Sequence, residues 1–268
     1  MRLATWNVNS IRTRAPRVLD FLRREDVDVL AMQEIKCRSD QFPVELFQEA
    51  GYQVVVHGLN QWNGVALVSR LPILDHQVGF AGMPKWAAKA GEDPVAEARA
   101  LGAVIEVPGE PEVTVWSLYV PNGRELTHPH YEYKLSWLAA LREEAETWLV
   151  DSPDRAIALV GDWNVAPLDL DVWDMEAFAG ATHVSARERE AFRAFEGAGY
   201  REVTRSLVDG YTYWDYQKAR FFRDEGMRID FVYASKSLAE RVYSAKIDRD
   251  ERKGKGVSDH APVIVEVG

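Results

Sequence analysis

The sequence contains no apolar run approaching the roughly 20 residues that a membrane-spanning helix needs. Its 268 residues include a single cysteine, Cys37, which excludes an internal disulfide and a cysteine-rich zinc site. The first ten residues, MRLATWNVNS, lack the apolar segment and the cleavage site of a signal peptide. We therefore expect a protein of a reducing compartment, the cytoplasm, with no membrane association.

Positive charge is also scarce, because 32 Lys and Arg residues stand against 42 Asp and Glu residues, a formal net charge of −10. This balance disfavours a nucleic-acid partner, since phosphate contacts need basic side chains. Three basic islands, at residues 12–17, 218–223 and 249–256, depart from the average. Solvated helix faces explain such islands more often than binding does, so charge alone does not predict a nucleic-acid partner.

Ten apolar segments predict β-strands, and four segments with helical periodicity predict helices between them. The strands are expected at 2–8, 27–33, 52–57, 64–70, 101–107, 113–119, 156–161, 229–234, 242–247 and 262–267, and the helices at 15–24, 43–50, 131–150 and 187–198. Residues 82–98 are typical of a surface loop, and no Gly-, Ser- or Pro-rich linker divides the chain. The pattern predicts one domain over residues 1–268, an α/β sandwich of two mixed, mostly antiparallel sheets covered by helices.

The tripeptide Trp-Asn-Val occurs twice, at 6–8 and at 163–165, each time at a predicted strand end. Two structurally related halves would produce such a repeat, and so would coincidence. The sequence leaves both explanations open.

Polar side chains collect at the ends of the predicted strands, where ordinary turn and cap residues are also favoured. Three strands end at Asn7 with Asn9, at Gln33 with Glu34, and at Asp162 with Asn164, whereas two others begin at Asp230 and just after Asp259 with His260. Strand ends and strand starts share one edge of a sandwich when the strands run antiparallel. We therefore expect these five segments to meet at one rim.

The residue types at this rim limit the chemistry. Carboxylate and amide oxygens suit Mg²⁺ or Mn²⁺ rather than zinc. A histidine beside a carboxylate adds acid–base chemistry or a charged contact to phosphate. The sequence thus predicts metal-assisted hydrolysis of a phosphoester, with the substrate left open.

Seven segments together resemble the Mg²⁺-dependent endonuclease/exonuclease/phosphatase superfamily, and within it the exonuclease III-type apurinic/apyrimidinic endonucleases. They are TWNVNS, MQEIK, NGVALVS, SLYVPNG, LVGDWNVAP, MRIDFVYAS and SDHAPV, in family order along nearly the whole chain. The resemblance implies a DNase I-like fold, a four-layered α/β sandwich of two mixed, mostly antiparallel sheets flanked by helices.

The same resemblance implies which residues hold the metal. Glu34 resembles the principal ligand, with Asn7 beside it and Asp259 as a further contributor. Asp162 and Asn164 are additional candidates. The implied cofactor is Mg²⁺, with Mn²⁺ as a substitute.

The catalytic roles follow in the same way. Asp162 resembles the residue that positions and activates the attacking water, and Asn164 its hydrogen-bonding partner on the nucleophile and the scissile phosphate. Tyr119 resembles the phosphate-contacting tyrosine, either ionised or assisting the leaving group. His260 resembles the phosphate-contacting histidine, oriented by Asp230.

Seven residues are candidates for DNA contact, although surface helices or loops would explain them as well. They are Arg12, Lys36, Asn122, Arg124, Lys218, Arg220 and Arg223. Arg124 is the one expected to project into the duplex near a lesion.

The aromatic segment YTYWDYQKARFF, residues 211–222, is either core packing or a recognition loop. In the family, the corresponding loop supplies an apolar pocket for an extrahelical abasic sugar, and Tyr213, Trp214 and Ile229 match that region. The chain departs from the pattern at Ser10-Ile11, where many members have Gly-Leu, and at Met227, where some relatives carry an aromatic residue. These departures leave lesion preference open.

The predicted function is that of a DNA-repair phosphodiesterase that cuts the backbone 5-prime to abasic sites and processes 3-prime ends as an exonuclease. Its partner is double-stranded DNA with abasic sites or blocked 3-prime ends, and it is expected to be a cytoplasmic monomer, associated with the nucleoid if bacterial. The alternatives are a superfamily phosphoesterase for a lipid or nucleotide substrate, and a DNA-binding protein without catalysis.

Overall fold

The computed structural model describes residues 1–87 and 91–268, and these form two six-stranded sheets with helices on their outer faces. The strands are β1 (Arg2–Asn7), β2 (Val29–Gln33), β3 (Gln53–His57), β4 (Val65–Ser69), β5 (Ile73–Val78), β6 (Ala100–Ile105), β7 (Val113–Tyr119), β8 (Ala156–Asp162), β9 (Tyr200–Glu202), β10 (Asp230–Ser235), β11 (Val242–Ile247) and β12 (Val263–Val267). The helices are α1 (Ile11–Arg24), α2 (Val44–Glu49), α3 (Pro129–Asp151), α4 (Ala186–Gly197), α5 (Arg220–Arg223) and α6 (Lys236–Ala239).

All ten predicted strands and all four predicted helices are present, and the mixed two-sheet architecture is confirmed. The sequence patterns missed β5 and β9. β5 is an edge strand that is mostly exposed, and β9 has only three residues, so neither carries the apolar signature of a buried strand. In the predicted loop 82–98, Trp86 pairs with Val95, while residues 88–90 lie outside the described residues.

Alternation along the strands builds the layers. Leu3 of β1, Val29 of β2 and Val160 of β8 belong to the core between the two sheets. The intervening residues face outward, where Trp6 packs in the layer of α1 and Leu159 in that of α3 and α4. Because side chains alternate between the faces of a strand, residue parity decides which layer a strand end joins.

That parity places the polar strand ends in the layer between the sheets. Asn7 continues the inward series of β1, and Tyr119 and Asp162 continue those of β7 and β8. Tyr119 lies opposite Asp162 in the parallel pair β7–β8, and Asp230 lies opposite Asp162 in the antiparallel pair β8–β10. The rim predicted from the sequence is therefore one end of the inter-sheet layer.

Gly161 is required where β8 reaches this rim. Its φ is +150°, and a Cβ atom built on it would lie 1.9 Å from the carbonyl oxygen of Leu118 on the neighbouring strand. Only glycine tolerates that approach, so the residue before Asp162 is fixed by backbone packing.

The two sheets repeat one strand order, β12-β1-β2-β4 in the first and β6-β7-β8-β10 in the second, each built around a parallel pair. The two Trp-Asn-Val copies are not equivalent in this repeat. Trp6 lies in β1, the first strand of its pair, whereas Trp163 follows β8, the second strand of its pair. The tripeptide repeat is thus a coincidence, although the fold does have two related halves.

Among the described residues, none of the helices combines the length and the apolarity that a membrane crossing requires.

Candidate active site

Glu34, Asp162 and His260 meet at the rim, each with a ligand atom within 4.8 Å of the other two. They come from different parts of the fold, since Glu34 follows β2, Asp162 ends β8 and His260 precedes β12. Asp162 and His260 are buried, and Glu34 is half-buried. Glu34 has a φ of +50°, a conformation that is uncommon for a non-glycine residue and that concentrates at functional sites.

Asn7 joins the two carboxylates across the sheets. Its Nδ2 donates to Glu34 Oε1 at 2.8 Å and to Asp162 Oδ2 at 3.0 Å. Its Oδ1 accepts the backbone N–H of Asn9 at 3.0 Å. The residue predicted as a metal ligand thus uses its amide here to space the two carboxylates.

His260 is held by Asp230. Its Nδ1 lies 2.8 Å from Asp230 Oδ2, and its Nε2 lies 3.8 Å from Asp162 Oδ2. Burial favours the neutral ring, but the carboxylates of Asp230 and Asp162 outweigh it and raise the pKa of His260 to about 10. The two carboxylates therefore favour the protonated ring and place a positive charge at the rim.

Burial is also the largest influence on Asp162. It raises the pKa of this carboxyl to about 7, opposed by the nearby charge of His260 and assisted by those of Asp230 and Glu34. Asp162 Oδ1 accepts the backbone N–H of Asn164 at 2.9 Å. A carboxylate whose pKa lies near neutrality is matched to general-base work.

The amide of Asn164 is fixed on both sides. Its Nδ2 donates to the Val120 carbonyl at 2.9 Å, and its Oδ1 lies 3.2 Å from Asn122 Nδ2 and 3.1 Å from His183 Nε2. Asn164 and His183 both have positive φ, +50° and +78°. His183 was not predicted from the sequence, because a single histidine in a polar loop has no motif or periodicity that indicates a site residue.

Tyr119 lies against the cluster with a buried cation behind it. Burial raises the pKa of the Tyr119 hydroxyl well above its usual range, and the adjacent Glu34 raises it further. The guanidinium of Arg99 lies 4.7 Å from the ring centroid. Of the two roles predicted for Tyr119, this setting favours a neutral hydroxyl that assists the leaving group by a hydrogen bond over an ionised phenolate.

Lys36 and Asp259 lie beside the three-residue cluster, each bonded to one of its neighbours. Lys36 Nζ lies 2.7 Å from Glu34 Oε2, so its charge is turned into the cluster instead of out towards a DNA backbone. Asp259 accepts a hydrogen bond from Asn9 at 3.0 Å and lies outside the three-residue cluster.

The other predicted DNA contacts remain at the surface. Arg12 and Lys218 are exposed, while Arg220 and Arg223 both pair with Glu225, at 2.9 Å and 2.8 Å. The remaining two lie in the loop after β7. There Asn122 is exposed and its Oδ1 accepts the backbone N–H of the exposed Arg124 at 3.0 Å.

A cavity of about 250 Å³ adjoins the site. Tyr213 and Met227 line it, and the Tyr213 ring packs edge-on against the His260 ring at 5.0 Å between centroids. Ile229 is buried in the same apolar cluster but, contrary to the prediction, does not line the cavity. Trp214 is not in the lining: it is completely buried, and its indole donates to Asp224 at 3.2 Å. Core packing therefore describes Trp214 better than a pocket role.

At the first departure from the family pattern, the backbone has a positive φ at a residue that is not glycine. Ser10 has a φ of +89°, and Ile11 after it is completely buried at the start of α1. The turn after Asn9 is thus stabilised by packing of the following residue.

The chain is similar to a known family and to solved nucleases along its whole length. The Endonuclease/Exonuclease/phosphatase family matches residues 4–260. The exodeoxyribonuclease of Bacillus subtilis is 30% identical, with 98% of each chain covered. The 3'-5' exonuclease of Neisseria meningitidis has a TM-score of 0.88 at 32% identity, and an AP endonuclease from Archaeoglobus fulgidus has 0.87 at 31%, each covering 100% of this chain and 99% of the other.

Proposed function

The chain belongs to the Endonuclease/Exonuclease/phosphatase family, and we propose that it is a DNA-repair nuclease that hydrolyses phosphodiester bonds. The observation that carries the proposal is the approach of Glu34, Asp162 and His260 to within 4.8 Å. A hydrolase of this kind needs a poised water, charge to neutralise the phosphate oxygens, and stabilisation of the leaving oxyanion. The residues of the rim can meet each of these three requirements.

Asp162 positions and activates the attacking water, with its carboxylate as the general base. Asn164, whose backbone N–H donates to that carboxylate, holds the nucleophile or the phosphate with its side-chain amide. His260, kept cationic by Asp230, faces the phosphate oxygens as negative charge develops on them. Tyr119, neutral because burial and Glu34 raise its pKa, donates a hydrogen bond from its hydroxyl to the phosphate or to the leaving oxygen.

The donor set of the rim fits a hard divalent cation. Glu34 and Asp162 offer carboxylate oxygens to the cation. Next to Asp162, the buried Oδ1 of Asp230 has no hydrogen-bond partner among the described residues, so negative charge at the rim is not fully matched by the protein. We propose Mg²⁺, with Mn²⁺ as a substitute, held chiefly by Glu34, with Asn7, Asp259, Asp162 and Asn164 as further candidates. When bound, the cation would neutralise phosphate charge and stabilise the leaving oxyanion.

Double-stranded DNA with abasic sites or blocked 3-prime ends is the proposed substrate. The cavity beside His260, lined by Tyr213 and Met227, has room for a sugar without a base. The names of the relatives support both reactions, since one is an AP endonuclease and another a 3'-5' exonuclease. Arg12, Asn122, Arg124, Lys218, Arg220 and Arg223 are the proposed contacts to the duplex.

We further propose that the chain acts as a monomer and as one catalytic domain over residues 1–268, in a cytoplasm or on a nucleoid. The continuous inter-sheet core supports the domain proposal, because both sheets contribute to it throughout. Sedimentation analysis of the free protein and of its DNA complex tests the monomer.

A gel assay tests the function. Three labelled duplexes are compared: one with an abasic analogue, one intact and one with a 3-prime phosphate, each with Mg²⁺ and with chelator. We expect Mg²⁺-dependent cleavage of the abasic duplex and processing of the 3-prime ends, and no cleavage by Asp162→Asn. Asp154→Asn, in an exposed turn, is the matched control and should cut like the parent. If all duplexes remain intact while a lipid or nucleotide phosphoester is hydrolysed, the nuclease proposal is wrong.

A further inference from the structure

The ammonium group of Lys134 in α3 is completely buried directly behind the site. Its Nζ donates to the backbone carbonyl oxygen of Asn164 at 2.5 Å and to that of Asn122 at 3.2 Å. It also forms an ion pair with Glu188, which is completely buried as well. A buried lysine is costly unless its charge and its protons are all matched, and these three acceptors match them.

Glu188 is fixed by the start of α4. It is the third residue of the capping box begun by Ser185, whose hydroxyl donates to Glu188 Oε2 at 2.6 Å. Its Oε1 accepts the Thr182 hydroxyl at 2.6 Å and the His183 backbone N–H at 2.8 Å. The carboxylate therefore belongs to a helix cap and cannot follow the lysine if the lysine moves.

The two carbonyls that Lys134 holds belong to the loops after β7 and after β8. The side chains of the same two residues meet at the rim, with Asn122 Nδ2 3.2 Å from Asn164 Oδ1. The lysine thus holds the two backbones through their carbonyl groups, while the two side-chain amides bond to each other. Packing leaves little freedom, since a Cβ atom on Gly123 would lie 2.7 Å from Thr182 Oγ1 and 3.2 Å from Lys134 Cδ.

We propose that Lys134, anchored by the capping box of α4 through Glu188, is a positioning residue that sets the amides of Asn164 and Asn122 relative to Asp162. The inference rests on the proposed function for the role of Asn164. A displacement of about 1 Å in a catalytic group can cost about 10²-fold in rate, so a backbone clamp at this position controls turnover without touching the substrate.

The test separates positioning from stability. Lys134→Met alone leaves Glu188 charged and unpaired, and this variant should be unstable. The double variant Lys134→Met/Glu188→Gln removes both charges, so it should regain most of the lost thermal stability. Arg142→Met/Glu146→Gln removes an exposed pair of the same helix, whose atoms lie 3.0 Å apart, and is the matched control.

Single-turnover rates and DNA dissociation constants are then measured for the folded variants. We expect the double variant to lose about 10- to 100-fold in rate, a larger loss than in its DNA affinity, with the control unchanged in both. A double variant whose rate recovers together with its melting temperature would overturn the proposal, because the pair would then be structural alone.

A second readout does not depend on activity. With asparagine-selective ¹⁵N labelling, the side-chain amide signals of Asn122 and Asn164, assigned by Asn122→Asp and Asn164→Asp, should shift in the double variant and not in the control. Unchanged signals would overturn the positioning role. If the parent cuts no DNA, the proposed function fails, and the amide signals still decide whether Lys134 sets these two side chains.

Discussion

The Nδ1 atom of His260 lies 2.8 Å from Oδ2 of Asp230, and both side chains are almost completely buried. The pair joins the start of β10, in one sheet, to the segment before β12, in the other. A buried imidazole would ordinarily be neutral, but this carboxylate, with Asp162 beyond the ring, reverses that preference. The Asp230–His260 pair therefore places a positively charged ring at the rim, with its Nε2 directed at Asp162.

Replacing Asp230 with Asn should lower the pKa of His260 from about 10 towards its ordinary value. Because the parental pKa is raised, the parental ring stays protonated through neutral pH and loses its proton only as the pH rises towards 10. NMR titration of the ring between pH 5 and 10, in protein without metal, measures this directly. Turnover at pH 8 should fall by about 100-fold, since a charged contact to the transition state is weakened. A His260 titration unchanged by the substitution would refute the assignment.

Glu34→Gln should weaken binding of Mg²⁺ more than Asp259→Asn does. Glu34 belongs to the three-residue cluster, whereas Asp259 lies outside it and is bonded to Asn9. Calorimetric titration with Mg²⁺ compares the two variants at equal ionic strength. Equal losses of Mg²⁺ affinity, or a larger loss for Asp259→Asn, would show that Glu34 is not the principal metal ligand.

DNA affinity should fall steeply with salt, because counterions are released as basic side chains meet phosphates. Arg12→Ala and Lys218→Ala should each reduce the slope of log K against log salt by about one. Lys236→Ala is the control, since Lys236 is exposed at the opposite end of β10 from Asp230. Binding that does not respond to salt, measured by fluorescence anisotropy, would contradict the proposed DNA face.

Glu188→Gln should destabilise the protein at pH 7 by about 3 kcal/mol, because it removes the counter-ion of the buried Lys134, whose pKa burial already lowers. Despite burial, Lys134 lowers the pKa of Glu188 to about 2, from 4.5. The carboxylate's contribution is therefore complete above pH 4.5 and disappears as the pH falls towards 2. Denaturant unfolding should show a gap between parent and variant that narrows over this range. A gap that is constant from pH 7 to pH 3 would disprove the linkage.

Much of the rim could be predicted because its side chains lie at strand ends. Asn7 and Asp162 end apolar strands and Asp230 begins one, so the ends and starts of antiparallel strands were enough to place them at one edge. Their inward orientation could not be predicted, because these strands are buried on both faces and show no alternation of polar and apolar residues. The family resemblance added Tyr119, whose position at the end of β7 is no different in pattern from that of any other strand residue.

The support behind the rim could not be predicted. Ser185 and Glu188 form a recognisable capping signature, but nothing in it points to Lys134, 54 residues away in another helix. A lysine within a helix is normally a surface residue, and this one is buried where the loops after β7 and β8 and Glu188 of α4 surround its ammonium group. Lys36 points into the cluster from a backbone turn in which its φ is +51°. No pattern of residue types predicts that turn.

Asp162 is the residue proposed to activate the water that cuts DNA at this rim, and single-turnover cleavage by Asp162→Asn measures that role. With saturating Mg²⁺ and an abasic duplex, the rate constant should fall by about 10³-fold, while DNA affinity and melting temperature stay near those of the parent. A rate constant within tenfold of the parent would show that Asp162 does not activate the water.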